Sequence, residues 1–366
     1  MSAATTEEPR WATRYPWLGT EPVPCEPVIS PDVYAAEVEH VFRKVWLCVG
    51  RVEELPEAGS YKLKQLDFAS TGVLLIRGTD NHIRAFHNVC SHRGNTVVVP
   101  EGKWDQFGKK SMFSCRFHAW SYNDRGELVG VQNQDCFHSC FRKEENGLAP
   151  IHCDIWQGFL FINLDETPQK TLSDYLGEMG QHFADYPYEE LSYQHTYYTT
   201  LNCNWKIGVD AFAEAYHVNT IHAGSFPGTF STGLQMVKLL GDHRTTAICF
   251  NPPRDAPPVA TVSQQRARGS LVNNVAGSTV PPTINDERRD DFSFELSVFF
   301  PNWLLHVAEG IWFTHQFWPR CHDRGLWEGK YYTRPPRTNS ERWALEHAIC
   351  LQRNAWLEDT ATMEGT

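Results

Sequence analysis

The chain has 366 residues, 41% hydrophobic and 21% charged, a composition that excludes a disordered or low-complexity polypeptide and leaves room for two domains. Its 33 basic and 44 acidic side chains give a net charge of −11, which argues against a nucleic-acid partner. Eleven cysteines, an odd count, accompany 16 histidines; no apolar stretch has spanning length, and the first residues lack the basic-then-apolar pattern of a secretory leader. The expectation is a reduced, cytoplasmic protein away from membranes, in which closely spaced Cys and His signal metal or catalysis rather than bridges.

From Ser30, a capping residue followed by Pro31, the residues Tyr34, Val38, Val41, Phe42 and Val45 recur at helical spacing. Between Val52 and Leu164 the texture changes to short apolar runs broken by Gly, Asn and Asp, among them Gly72–Arg77, Ile83–Phe86 and Gly158–Asn163. They predict a small all-β unit. Thr171 and Asp174 stand at capping spacing ahead of Leu172, Tyr175, Met179 and Phe183, and a second domain starts near here. Asn202 to His222 reads as a polar-studded helix. Gly224 to Asp291 is rich in Gly, Pro, Ser and Asn without sustained period, and part of it is expected to form a lid. Phe292–Phe300 and Trp303–Trp318 predict strands. Thr338 and Glu341 open a final helix on which Leu345, Ile349, Gln352, Trp356 and Asp359 share one face.

Two Cys-His pairs stand in the β-rich unit: Cys90-Ser-His92 and, after 22 intervening residues, Cys115-Arg-Phe-His118. A tetrahedral zinc site is the simplest alternative, but zinc pairs usually repeat like ligands and each of these is mixed. A two-iron cluster with both cysteines on one iron and both histidines on the other suits mixed pairs. Cys136, His138 and Cys140 are crowded into five residues with no fourth partner in register, and read as ordinary structural residues.

In the second domain Asp210, Glu214 and His217 lie at i, i+4 and i+7, one face of an unbroken helix. His222 is swung about 140° from His217 on such a helix, so the two histidines share a metal only if the chain breaks or bulges between them. Val218, Asn219 and Thr220 favour such a break. Two imidazoles and one carboxylate make the facial triad of O2-activating iron enzymes, and local spacing leaves Glu214 and Asp210 as candidate carboxylates.

The stretches Phe86-His-Asn-Val-Cys90-Ser-His92-Arg-Gly, Cys115-Arg-Phe-His118-Ala-Trp-Ser-Tyr122 and Glu214-Ala-Tyr-His217-Val-Asn-Thr-Ile-His222 resemble the Rieske non-haem iron oxygenases, the aromatic-ring-hydroxylating dioxygenase alpha-subunit family. The resemblance implies an α+β fold: an N-terminal segment (1–44) packing on the catalytic domain, an all-β Rieske domain (45–165), and a catalytic domain (166–366) with a curved antiparallel sheet wrapped by helices. It implies a [2Fe–2S] cluster held by Cys90, His92, Cys115 and His118, and a mononuclear Fe(II) held by His217, His222 and, from the late helix, Asp359. Glu214 takes the place of the acid that links the iron-site histidine to a cluster histidine of a neighbouring subunit. By the same resemblance the partners are an NAD(P)H-dependent reductase or ferredoxin, O2 and a small hydrophobic substrate, in a homotrimer or a multiple of it with a possible beta subunit. The reaction implied is hydroxylation of an aromatic or other hydrophobic compound; the alternatives are oxidation or demethylation of an N-methyl or quaternary ammonium compound, and a Rieske electron carrier without oxygenase activity. Two departures stand out: the gap between the pairs is long, predicting an enlarged loop around Glu101–Lys110, and Arg116 stands where proline is common.

Overall fold

The computed structural model describes residues 14–366 apart from 20, 103, 232–235 and 252–279. Ser30 accepts a hydrogen bond from the Val33 amide and caps the helix α1 (Pro31–Glu37), which continues into a wider turn at Val38–Phe42. Phe42 is fully buried there against Phe68 and Trp205, and Glu37 binds the Trp205 indole and Lys206, fastening this segment to the C-terminal half.

The first sheet contains β1 (Leu47–Arg51), β2 (Ser60–Leu66), β3 (Thr71–Arg77), β4 (Ile83–His87), β5 (Gln106–Lys109), β9 (Pro150–Trp156) and β10 (Phe159–Asn163), in the order β1-β10-β9-β4-β3-β2-β5. A small sheet of β6 (Phe113–Ser114), β7 (Ser121–Tyr122) and β8 (Leu128–Gly130) stands beside it. The second large sheet runs β11-β17-β16-β15-β14-β13-β12, all antiparallel, from β11 (Tyr193–Leu201), β12 (Met236–Leu240), β13 (His243–Cys249), β14 (Phe292–Phe299), β15 (Trp303–Ala308), β16 (Ile311–Cys321) and β17 (Arg324–Thr333). Against it pack α2 (Leu172–His182), capped by Thr171 as its spacing predicts, α3 (Trp205–Ala211), the single turn α4 (Val218–Ile221) and the long α5 (Asn339–Gly365), capped by Thr338. Two glycines set how closely these layers approach. A side chain at Gly208 of α3 would start 2.2 Å from the Phe317 ring, and one at Gly329 of β17 would start 2.9 Å from Trp356 of α5. None of the described helices is long and apolar enough to cross a membrane.

Three expectations change. The loop predicted around Glu101–Lys110 contains β5, an edge strand paired with β2, because Gln106 to Lys109 find free backbone partners on that sheet's open side. The predicted strand Trp303–Trp318 is two strands, turned at Glu309 and Gly310, where Gly310 takes φ 71°. β12 and β13 lie in the stretch from Gly224 to Asp291, where cross-strand pairing rather than periodicity makes the strands; the lid expected there falls largely on residues outside the described ones.

The two large sheets meet through two apolar clusters, one with Leu47, Val49, Leu66, Phe68 and Leu160 against Trp205, Phe317, Trp318 and Trp327, the other with Phe159 and Phe161 against Trp303, Trp312 and Tyr332. Inside that junction six charged side chains close a ring of alternating sign. Lys62 meets Glu54 at 2.7 Å, Glu54 meets Lys330 at 2.6 Å, Lys330 meets Glu328 at 2.8 Å, Glu328 meets Lys64 at 3.0 Å, and Asp105 links Lys64 (3.2 Å) back to Lys62 (2.8 Å). All six are nearly buried, so each charge depends on its two neighbours in the ring. Burial raises the Glu54 carboxyl, but Lys330 and Lys62 outweigh it and hold its pKa down at about 2.

Candidate active site

Cys90 and Cys115 each open a tight loop closed by the same two backbone bonds. The Cys90 amide donates to Asn95 O (2.8 Å) and Gly94 N to Cys90 O (2.9 Å); the Cys115 amide donates to Trp120 O (2.8 Å) and Ala119 N to Cys115 O (3.0 Å). The fifth residue of each loop is left-handed, φ 71° at Gly94 and 55° at Ala119. The two thiols are buried while the two histidines stand half-buried at the tips, their ring centroids 4.7 Å apart, with His92 stacked on Trp120. The Tyr122 hydroxyl lies 3.1 Å from Cys90 Sγ. Burial works against a Cys115 thiolate, yet the Phe117 amide, the Asn95 side chain and Cys90 together draw its pKa below the usual thiol value.

One zinc ion would bring four ligand atoms within about 4 Å of one another. Among the described residues only His217, His222 and Asp359 gather three such atoms within 4.8 Å. His92 and His118 pair with ring centroids 4.7 Å apart and Cys90 lies close to Cys115, a grouping of like ligands that suits a two-iron cluster with both histidines on one iron and both cysteines on the other. Nδ1 of His118 is buried without a partner among the described residues, an open ligand position.

The helical stretch read from Asn202 to His222 is broken, but not where the spacing placed the break. Asn204 caps α3, which stops at Ala211, and the chain then runs irregularly to Tyr216. Glu214 drives the change: its Oε2 accepts from the Tyr216 and His217 amides, the free donors at the start of the next turn. His217 and His222 therefore sit at the two ends of the single turn α4. Asp210 does not share a face with Glu214 and His217; it lies on the surface paired with Arg244 at 3.0 Å.

His217 and His222 are each held at Nδ1 by a carboxylate. Glu214 Oε1 takes His217, and Glu358 Oε2 takes His222 at 2.9 Å while Ser225 donates to its other oxygen at 2.9 Å. An imidazole whose Nδ1–H is bound in this way presents its Nε2 lone pair as a ligand. Both Nε2 atoms face Asp359 Oδ1, His222 at 3.1 Å and His217 at 3.7 Å. Asp359 is only 3% exposed, and its Oδ2 has no partner among the described residues. Burial raises the Asp359 pKa; burial lowers that of His222, but Asp359 and Glu358 outweigh it and raise it. Both shifts mean that the site draws in positive charge, so its residues fit a divalent cation with a 2-His-1-carboxylate set. Glu358 was not singled out from the sequence, because nothing in its spacing shows that a break near Glu214 would bring His222 onto it.

Glu214, His217, His222 and Asp359 floor a cavity of about 80 Å³ walled by Phe212, Phe226, Phe230, Phe294, Phe313 and Trp356, with His306, His315 and Gln352 as further polar members. At 10–15 Å³ for each water centre it holds about six waters, the room of a small organic molecule.

Comparison with known proteins agrees with this arrangement. Residues 45–144 match the Rieske [2Fe-2S] domain and residues 188–366 match the ring hydroxylating alpha subunit catalytic domain. The carnitine monooxygenase oxygenase subunit of Acinetobacter pittii is 32% identical over 197 residues, covering 53% of this chain and 51% of that protein. The glycine betaine monooxygenase oxygenase subunit of Pseudomonas aeruginosa is 31% identical over 205 residues, covering 56% of this chain and 44% of that protein. The matched segments thus span about half the length of these relatives. A crystal structure of a quaternary ammonium Rieske monooxygenase superposes with a TM-score of 0.73 at 22% identity, covering 93% of this chain and 83% of that one. Naphthalene 1,2-dioxygenase from Rhodococcus sp. gives a TM-score of 0.72 at 20% identity, covering 97% and 83%. The chain belongs to the Rieske non-haem iron oxygenases, whose two cofactors are a [2Fe–2S] cluster and a mononuclear iron.

Proposed function

We propose that this protein is the oxygenase component of a multicomponent Rieske system, hydroxylating a small, largely apolar molecule with O2 and electrons from an NAD(P)H-dependent reductase or ferredoxin. The observation that carries the reading is the convergence of His217 Nε2, His222 Nε2 and Asp359 on the floor of the aromatic cavity. In this reading Cys90, His92, Cys115 and His118 hold the cluster, and His217, His222 and Asp359 hold the iron; the two groups supply single electrons and O2 activation respectively. Glu214 and Glu358 keep both imidazoles in the tautomer that binds metal at Nε2. The cavity's aromatic walls place a substrate C–H bond over the floor and exclude water. Glu214 is more than a third exposed and the adjacent Tyr216 is open to solvent. That exposure supports a ring of three subunits in which Glu214 meets a cluster histidine of the next copy.

A second reading, oxidation of an N-methyl or quaternary ammonium compound, is favoured by the names of the relatives and by aromatic walls that suit cation–π contact. The central test is iron content in His217→Ala against the visible spectrum of the cluster. Loss of one iron per chain with an unchanged spectrum is expected; an unchanged iron count removes the oxygenase reading and leaves an electron carrier. Substrate-dependent O2 uptake across aromatic, terpenoid and N-methyl compounds then separates the two substrate readings.

A further inference from the structure

His306 of β15 and His315 of β16 lie on the sheet wall of the cavity, facing the helices that carry the metal-binding trio. The pairings His306 with Phe313 and Leu304 with His315 make them diagonal neighbours on one face, with ring centroids 5.1 Å apart. Both are 0% exposed. The Trp327 indole, which can only donate, gives its N–H to His315 Nδ1 at 3.1 Å. His315 must therefore carry its own proton on Nε2, and that N–H has no acceptor among the described residues. Neither ring nitrogen of His306 has a partner among the described residues. Burial drives the His306 pKa down to about 3 and that of His315 well below its usual value, so both rings are neutral. A neutral pair offers one fixed donor from His315 and one donor with one acceptor from His306, unpaired groups that a buried site leaves open only at a penalty.

Resting on the oxygenase reading, we propose that His315 and His306 are substrate-positioning residues that hold an uncharged oxygen of the substrate, a carbonyl or hydroxyl, with His315 Nε2–H as its donor. A hydroxyl satisfies both rings at once, accepting from His315 and donating to His306; a carbonyl accepts from both. A carboxylate is disfavoured because none of the described residues lining the cavity is Lys or Arg, while the carboxyl groups of Glu214 and Asp359 already line it. An ammonium head cannot accept from an N–H and would lie against the aromatic walls instead. His306 and His315 sit among aromatic and aliphatic residues of the runs Trp303–Ala308 and Ile311–Trp318, so from sequence they read as part of core strands.

The test is calorimetric titration of the full-length, cluster- and iron-loaded protein without O2 or reductant, using indane, 1-indanone, 1-indanol and benzoate as probes. The wild type is expected to bind 1-indanone or 1-indanol at least about tenfold more tightly than indane and than benzoate. His315→Phe should bring indanone and indane to within about twofold, and His315→Gln, which keeps an N–H donor, should restore most of the preference. If His315→Phe loses its cluster spectrum, His306→Leu provides the same ratio. Equal affinity of wild type for indane and the oxygenated probes, an unchanged preference in His315→Phe, tighter binding of benzoate, or binding of none of the probes overturns the assignment. No turnover enters the measurement, so a failure here is separate from a failure of the iron count in His217→Ala.

Discussion

Glu358 offers the sharpest test of how the iron site is built. Its Oε2 holds His222 Nδ1 at 2.9 Å and its Oε1 is held by Ser225 at 2.9 Å, so the side chain is pinned at both oxygens. In Glu358→Gln the amide oxygen can still accept from Nδ1–H and orient the ring, and only the charge is lost. In Glu358→Ala the ring loses both its charge partner and its orientation. Outer partners of metal-bound histidines are worth about 10–100-fold in metal affinity. The Gln variant is expected near the lower figure and the Ala variant near the upper one, about 1.4 and 2.8 kcal/mol. The assay is iron retained by each variant during dialysis against graded chelator, with the cluster's visible absorbance as an internal control. Wild-type retention in Glu358→Ala would refute the role, and a parallel fall in cluster absorbance would show general unfolding instead.

Further outcomes follow from the same geometry. Tyr122→Phe removes the hydroxyl 3.1 Å from Cys90 Sγ. A hydrogen bond to sulfur favours the reduced cluster, so its potential should fall by tens of mV in protein-film voltammetry, about 59 mV for each 1.4 kcal/mol lost. Lys330→Met opens the buried ring and leaves Glu54 and Glu328 short of a partner; the expected loss is about 3–5 kcal/mol, seen by calorimetry as a fall in Tm of about 5 °C. Glu54, with its pKa held down at about 2, contributes stability that is fully present above its unfolded value near 4.5 and is lost as pH falls towards 2. That contribution is about 3 kcal/mol, and Glu54→Gln should flatten the acid limb of the denaturation midpoint plotted against pH. Lys64 and Lys330, both raised, contribute below about pH 10.5 and lose that contribution above it, so the same plot should fall again on the alkaline side.

Much of this arrangement was visible in the residues. The mixed Cys-His pairs, the capped final helix and the buried face bearing Asp359 are local patterns, and local patterns survive folding. The break at Glu214 was misplaced because its cause is a side chain turning back onto the amides of Tyr216 and His217, which helical spacing does not encode. Glu358 and the pair His306 and His315 were missed for a related reason: their partners come from elements more than 100 residues away or from a neighbouring strand. Asp105, expected in a loop, is carried to Lys62 and Lys64 by the turn into an edge strand.

The charged ring also bears on how the two halves could be exchanged between relatives. Lys62, Lys64, Glu54 and Asp105 come from the first half and cancel among themselves, as do Glu328 and Lys330 from the second. Each module therefore brings an electrically balanced share of the ring, and within the ring two links, Lys64 to Glu328 and Lys330 to Glu54, join one share to the other. They behave as a two-pin connector. A chimera that keeps both pins should dock its foreign cluster module in register with the iron module, whereas one that breaks either pin strands a charge inside the joint.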